Sequence, residues 1–398
     1  MRKERTDVPD TTPRLSALLN PAVRSIQISG IRRLFNLLPQ YPGSISLTIG
    51  QPDFPTPQHV KEAAKRAIDN DATTYTHNAG TLALRQAACA FIEHKYGLTY
   101  RAEDEVITTN GVSEAIDIAL RTLLEPGCEV VLPGPVYPAY EPLIRMAGCT
   151  PVYIDTRETG FILTADQLSR AITPRTRCVI LPYPSNPTGC VLSAAQLAEL
   201  ADVLRGRPLF VISDEIYSEL VYDGPHHSIA ALPGMREQTI VVNGLSKSHA
   251  MTGWRIGFTF APRCITEQML KVHQYNATCA SSVSQAAALE ALTGGMDDAL
   301  PMREVYRERR DYVCSRLEKM GLPLTRPSGA FYVFPSIAQF GIPSFEFAVQ
   351  LLDKGRVAVV PGSAFSDLGE GHVRISYAVS METLAEGLNR MERFVQSL

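Results

Sequence analysis

Lys247 stands in the run Ser246-Lys247-Ser248-His249-Ala250-Met251-Thr252-Gly253-Trp254-Arg255-Ile256-Gly257, directly after the apolar segment TIVVNGL and eight residues before Arg255. A lysine on a solvated surface is an ammonium and does little chemistry. One that follows a buried strand, near the chain's single tryptophan, can lose its proton and attack a carbonyl carbon, while the arginine keeps its charge for a phosphate. Three further segments belong with it. The run LFVIS stops at Asp214 in SDEIY, which sets a carboxylate beside Glu215 and Tyr217; a helix N-cap is the plainer use of that aspartate. The run CVILPYPS leads into Asn186-Pro187-Thr188-Gly189, residue types that also make an ordinary turn. The run EVITT leads into Asn110-Gly111-Val112-Ser113 and a periodic helix over Glu114–Leu124, whose free N–H groups and dipole suit a phosphate. Neither GxxxxGK followed by Ser or Thr nor GxGxxG is present, so a single phosphate fits better than a nucleoside triphosphate or a dinucleotide.

Each of these segments follows an apolar run, and ligands of open α/β sheets bind outside the carboxyl ends of the strands. Seven such runs predict strands, at Glu105–Thr109, Glu129–Leu132, Val152–Ile154, Cys178–Leu181, Leu209–Ser213, Thr239–Val242 and Ile256–Phe260. Most are too apolar to have one face in water. Helical stretches lie between many of them, and Thr164–Gln167 and Ser193–Gln196 fit the capping box. The expected fold class is α/β, a mostly parallel seven-stranded sheet covered by helices. A smaller α+β domain follows, with a helix near Met302–Met320, strands at Phe331–Phe334, Val357–Val360 and Val373–Tyr377, and helices after Ser344 and Ser380. The expected organisation is an N-terminal arm and linker over 1–55 that belongs with the small domain, a large cofactor-binding domain over 56–285, and the small C-terminal domain over 286–398.

The 398 residues carry 38 basic and 41 acidic side chains, a net charge of −3, with no charge run that would mark nucleic acid or an anionic membrane as a partner. No apolar stretch reaches spanning length and the N-terminus has no apolar core, so a cytoplasmic location is expected. The eight cysteines are scattered without a CxxC pair, and the eight histidines show no HxxxH spacing, so no metal is assigned.

An amine nucleophile, a carboxylate, an Asn/Tyr pair and a phosphate cradle are together the parts that pyridoxal 5'-phosphate requires. At this point the chain resembles the class I, fold-type I pyridoxal-phosphate aminotransferases over nearly its whole length, most specifically in SKxxxxxGWRxG at Ser246–Gly257. The resemblance implies roles residue by residue. Lys247 would bond the cofactor's aldehyde and shuttle the proton of the substrate's α-carbon, Asp214 would pair with the pyridine nitrogen, and Tyr217 and Asn186 would hydrogen-bond the ring hydroxyl. Gly111, Val112, Ser113, Ser246 and Arg255 would hold the phosphate, and Tyr137 would stack on the ring. A homodimer is implied, with Tyr75 completing the other protomer's phosphate site. Arg374, in HVRISYA, would fork the substrate's α-carboxylate with Gly50 and Asn186 nearby; taken alone, that arginine reads as an edge-strand salt bridge. Gly244 departs from the pattern, since many members carry another phosphate-binding serine there.

Within the family, SISLTIGQPDFPTP, LPYPSNPTG, SDEIYSELVYD, NGLSKSHAMTGWRIGF and KVHQYNATCASS resemble the N-acetyl-LL-diaminopimelate aminotransferases of Gram-positive bacteria, which serve lysine biosynthesis. That likeness implies glutamate as amino donor, an acetylated oxopimelate as acceptor and ping-pong kinetics. No residue that reads the substrate side chain is legible; Arg24, Arg32, Arg33 and His77 are the basic candidates, each of which reads first as a solvated charge. The alternatives are a broad-range aromatic or aspartate aminotransferase, a β-lyase or decarboxylase on the same scaffold, and a non-catalytic regulatory protein. The last would be expected to come with a helix-turn-helix segment, and none is expected from this sequence.

Overall fold

The structure, a computed structural model, describes residues 12–26 and 30–398. After the two-residue strand β1 (Ile45–Ser46), seven strands form one sheet: β2 (Val106–Thr109), β3 (Glu129–Gly134), β4 (Thr150–Asp155), β5 (Thr176–Leu181), β6 (Phe210–Asp214), β7 (Thr239–Gly244) and β8 (Gly257–Phe260). Their order is β2-β8-β7-β6-β5-β3-β4. The pairs from β4 through β3, β5 and β6 to β7 are parallel, and β8 runs antiparallel to both β7 and β2. Six strands therefore share one direction and deliver their carboxyl ends to one edge. All seven expected strands are present, each shifted by no more than two residues at either end, β3 running on to Gly134 and β7 to Gly244.

Side chains alternate across this sheet, and both faces are covered. Val130, Leu132, Ile180, Ile212, Ile240 and Val242 pack with the helices Val112–Leu123 and Arg263–Ala277. Their neighbours Val131, Val179, Leu181 and Val211 face the opposite core with the helix Ala194–Leu204, and Val241 and Phe258 face a third with Leu82–Tyr96 and Ser282–Thr293. Burial on both sides is what makes the strands near-continuous apolar runs. Truncating a fully buried member such as Leu132 to alanine would cost about 2–5 kcal/mol. The two expected capping boxes are formed, by Thr164 with Gln167 and by Ser193 with Gln196.

The chain's two ends share the remaining core. Leu34 and Leu47 pack with the helices Ala299–Lys319, Ser344–Gly355 and Met381–Val395. Between these helices lie β9 (Tyr332–Val333), β10 (Val357–Ala358), β11 (Val360–Pro361) and β12 (Val373–Ser376). The single strand expected over Val357–Val360 is two. β10 pairs in parallel with β1, while β11 pairs antiparallel with β12, which pairs antiparallel with β9. The chain changes partners at Val359, and past the second ladder the Gly362 N–H still donates across to the His372 carbonyl at 2.8 Å. β1 carries no period that two residues could display. Among the described residues, no helix is long and apolar enough to cross a membrane.

Candidate active site

At the common carboxyl edge, the sheet and the C-terminal elements enclose a cavity of about 690 Å³. Eleven of the residues singled out in the sequence line it: Gly50, Val112, Ser113, Tyr137, Asn186, Asp214, Tyr217, Ser246, Lys247, Arg255 and Arg374. Gly111 lies beneath Arg255 at the same edge. Tyr75 does not join them; it is 84% exposed on the surface.

Lys247 sits in the short turn of helix Leu245–Ser248 that begins where β7 ends. Its Nζ donates to the carbonyl of Gly50 at 2.5 Å and lies 5.8 Å from the ring centres of Tyr217 and Phe331. Burial, with the guanidinium groups of Arg374 and Arg255 adding repulsion, pushes its pKa down to about 8; Asp214 only partly offsets this. An amine so placed is available as a nucleophile and a base near neutral pH.

Asp214 closes β6 and is buried. Its Oδ2 accepts from Tyr140 Oη at 2.6 Å and its Oδ1 from the Ile216 N–H at 3.2 Å. Burial pushes its pKa up to about 6, against the pull of those two hydrogen bonds. Among the described residues the carboxylate has no ion-pair partner. A buried carboxyl held this way suits a ligand that brings its own N–H.

Gly111 caps the helix Val112–Leu123 with φ 82°, the left-handed region glycine tolerates. A Cβ there would run into the Arg255 guanidinium. Arg255 itself donates to the carbonyls of Thr252 at 2.9 Å and Asn110 at 3.4 Å. A guanidinium over the N-terminus of a helix, flanked by Ser113 and Ser246, is a donor set for a phosphate. Gly244 has a packing reason: a Cβ would stand 2.9 Å from the Ile256 carbonyl and 3.1 Å from Gly257 Cα, its cross-strand partner. A serine there would need β7 and β8 to separate.

Arg374, on β12, is buried, and among the described residues no carboxylate lies against it. Its guanidinium donates to Asn186 Oδ1 at 2.9 Å and to the Thr48 carbonyl at 2.7 Å, and its buried Nε has no partner. The edge-strand salt bridge is not formed. A buried, unneutralised guanidinium with a spare donor suits an incoming carboxylate. Tyr217 Oη lies 2.9 Å from Tyr332 Oη.

The residues present thus fit one composite ligand: a phosphate at Gly111 and Arg255, an aldehyde at Lys247, a basic ring nitrogen at Asp214, and a carboxylate-bearing substrate at Arg374. Sequence reasoning missed Tyr140 and Tyr332, which carry no motif and reach the site only through tertiary packing. Arg24, Arg32, Arg33 and His77 do not line the cavity; Arg33 stacks on Phe345 at 4.3 Å, and His77 Nδ1 accepts from the Ala79 N–H at 3.1 Å. Among the described residues, Lys247, Arg255 and Arg374 are the cavity's only cationic side chains.

A helix-covered sheet with this amine, acid and phosphate cradle at its carboxyl edge defines an enzyme of pyridoxal-phosphate chemistry. The profile of the family described as Aminotransferase class I and II matches residues 42–391, and the chain belongs to that family, whose members use this cofactor. It is 60% identical to the probable N-acetyl-LL-diaminopimelate aminotransferase of Bacillus subtilis (strain 168), over 95% of this chain and 96% of that one. The crystal structure of Pyrococcus protein-A1 superposes with a TM-score of 0.92 at 44% identity, covering 94% and 98% of the two chains. The aromatic aminotransferase from Pyrococcus horikoshii OT3 gives 0.87 at 44% identity, covering 92% and 99%.

Proposed function

We propose that this aminotransferase acts in lysine biosynthesis, moving an amino group between L-glutamate and N-acetyl-2-amino-6-oxopimelate, as an N-acetyl-LL-2,6-diaminopimelate:2-oxoglutarate aminotransferase. The observation that carries the substrate is the 60% identity, over nearly the whole of both chains, to the relative named for diaminopimelate. The catalytic part rests on the cavity.

Pyridoxal phosphate, when bound, supplies the electron sink that takes up the pair left on the α-carbon as its proton departs. Lys247 removes that proton and returns it, a task suited to an amine whose pKa is about 8. Asp214 holds a proton on the ring nitrogen, and Asn186 and Tyr217 hold the ring oxygen. Arg374 forks the α-carboxylate while Gly50 closes over it, and Tyr137 fixes the ring plane. Gly111, Val112, Ser113, Ser246 and Arg255 hold the phosphate, and Tyr75 of the second protomer in a homodimer completes it. One cavity serves both substrates in turn, which makes the kinetics ping-pong. In this reading the described residues of 1–55 form one unit with 286–398, apart from helix Ser282–Thr293, which packs into the core of 56–285, and the two units meet across the cavity in a cytoplasmic enzyme.

A second reading is an aromatic or aspartate aminotransferase, favoured by the apolar wall of Phe35, Ile49 and Ile116 and, among the described residues, by the lack of any lining cation beyond Lys247, Arg255 and Arg374. Half-reaction rates over a panel of amino acids decide. Glutamate and the acetylated diaminopimelate are expected to react fastest; rapid reaction of phenylalanine with none of the acetylated substrate overturns the proposal. Release of pyruvate and ammonia from cysteine conjugates without an oxo acid would mark a β-lyase instead.

A further inference from the structure

Tyr332 is buried, and its β9 position pairs with Ser376 on β12, two residues beyond Arg374. Its ring lies under the Arg374 guanidinium, 4.3 Å from centroid to Cζ, with Phe365 5.1 Å away on that same cation. Its hydroxyl is 2.9 Å from Tyr217 Oη. The backbone is fixed from another side: the Ser328 and Gly329 N–H groups donate to the Gly189 carbonyl at 3.0 and 2.9 Å, in the turn that carries Asn186. A Cβ on Gly189 would stand 2.8 Å from the Tyr332 carbonyl. Tyr332 therefore has one end on the group facing the cofactor and one face on the group facing the substrate.

We propose that Tyr332 is a positioning residue that couples Tyr217 to Arg374, its hydroxyl acting on the cofactor side and its ring on the carboxylate side. The inference rests on the roles proposed above for those two residues. A phenol has one proton. If Tyr217 donates its proton to the ring oxygen of the cofactor, the bond between the two tyrosines is donated by Tyr332. That second donor makes Tyr217 a stronger donor in turn, as hydrogen bonds in series polarise one another. The ring acts separately: an aromatic face against a guanidinium holds its plane and compensates part of its charge without occupying any of its N–H groups. Those donors stay free for a carboxylate, which a carboxylate partner in the protein would not allow.

The two actions separate by substitution. Tyr332→Phe keeps the ring and removes the donor; Tyr332→Leu removes both. Two readouts apply, neither being turnover. The first is the pH midpoint of the bound cofactor's visible absorbance. The second is the Kd of 2-oxoglutarate for the pyridoxal form, with which it cannot react for want of an amino group. In Tyr332→Phe the midpoint is expected to rise by about 0.3–1 pH unit, since the anionic ring oxygen loses support, with Kd within about twofold of the parent. Tyr332→Leu is expected to show the same rise together with a Kd weakened about 5–10-fold. Unchanged midpoints in both variants, an unchanged Kd in the leucine variant, or an equal loss of Kd in both would overturn the coupling. Arg374→Lys is the control. If it leaves Kd unchanged, the assignment of Arg374 falls and the coupling with it; if it weakens Kd while Tyr332→Leu does not, only the coupling falls.

Discussion

The cavity floor and the polar cluster directly behind it begin one residue apart on the same strand end, yet treat charge in opposite ways. Glu215, behind the floor, is buried and fully served: Ser213 Oγ and Ser228 Oγ donate to its Oε1 at 2.7 and 2.5 Å, and His226 Nε2 lies 2.8 Å from its Oε2. Tyr96 likewise donates to the buried Glu219 at 2.6 Å, with Lys95 3.3 Å from that carboxylate. On the floor, among the described residues, Asp214 has two donors and no cation, Lys247 has a carbonyl and no carboxylate, and Arg374 keeps an unpartnered Nε. Burying charge without a counter-charge costs stability, and a fold that can satisfy Glu215 so completely could satisfy its neighbour. In the proposed reading the floor is left short because its counter-charges arrive with the cofactor and substrate.

That contrast yields predictions with opposite signs in the two regions. The largest effect is at the amine: Lys247→Ala is expected to lower kcat by about 10⁴-fold or more, measured with saturating cofactor, without lowering the melting temperature of the cofactor-free protein at pH 7. Arg374→Lys, which keeps the charge and loses the fork, is expected to raise KM for both substrates about 10²-fold with a smaller change in kcat.

Asp214→Asn should cost activity and return stability. The folded pKa of Asp214 lies at about 6, above the ordinary carboxylate value. The carboxyl therefore favours folding below about pH 4, and this support is lost as pH rises through 6. Denaturant titrations of cofactor-free protein should find the asparagine variant more stable by about 2–3 kcal/mol at pH 7 and equal to the parent near pH 4. A variant less stable at pH 7 would mean that Asp214 is as well served as Glu215. The smallest catalytic effect belongs behind the floor. Glu215→Gln is expected to cost about 1–3 kcal/mol of stability while leaving KM within about threefold. A loss of KM as large as that of Arg374→Lys would erase the distinction between the regions.

What could be read in the sequence follows from how local each cause is. The seven strands were legible because burial on both faces writes itself as apolar runs, and Asp214, Asn186, Gly111 and Lys247 were legible because each follows such a run directly. β1 and the break between β10 and β11 were not, since a two-residue strand is defined by its partner, Ile45 by Val357 and Val360 by Arg374. Tyr140 and Tyr332 reach the site from outside any motif. Gly244 looked like a lost hydroxyl, and its cause lies across the sheet at Ile256 and Gly257.

The claim on which the rest depends is that the amine of Lys247 is the group that bonds the cofactor's aldehyde. Borohydride reduction of the yellow holoenzyme, followed by proteolysis and mass spectrometry, tests it directly. The account predicts the phosphopyridoxyl group on the peptide containing Ser246-Lys247-Ser248 and no label in Lys247→Ala. A stoichiometric label on any other lysine, or its persistence in the alanine variant, would contradict it.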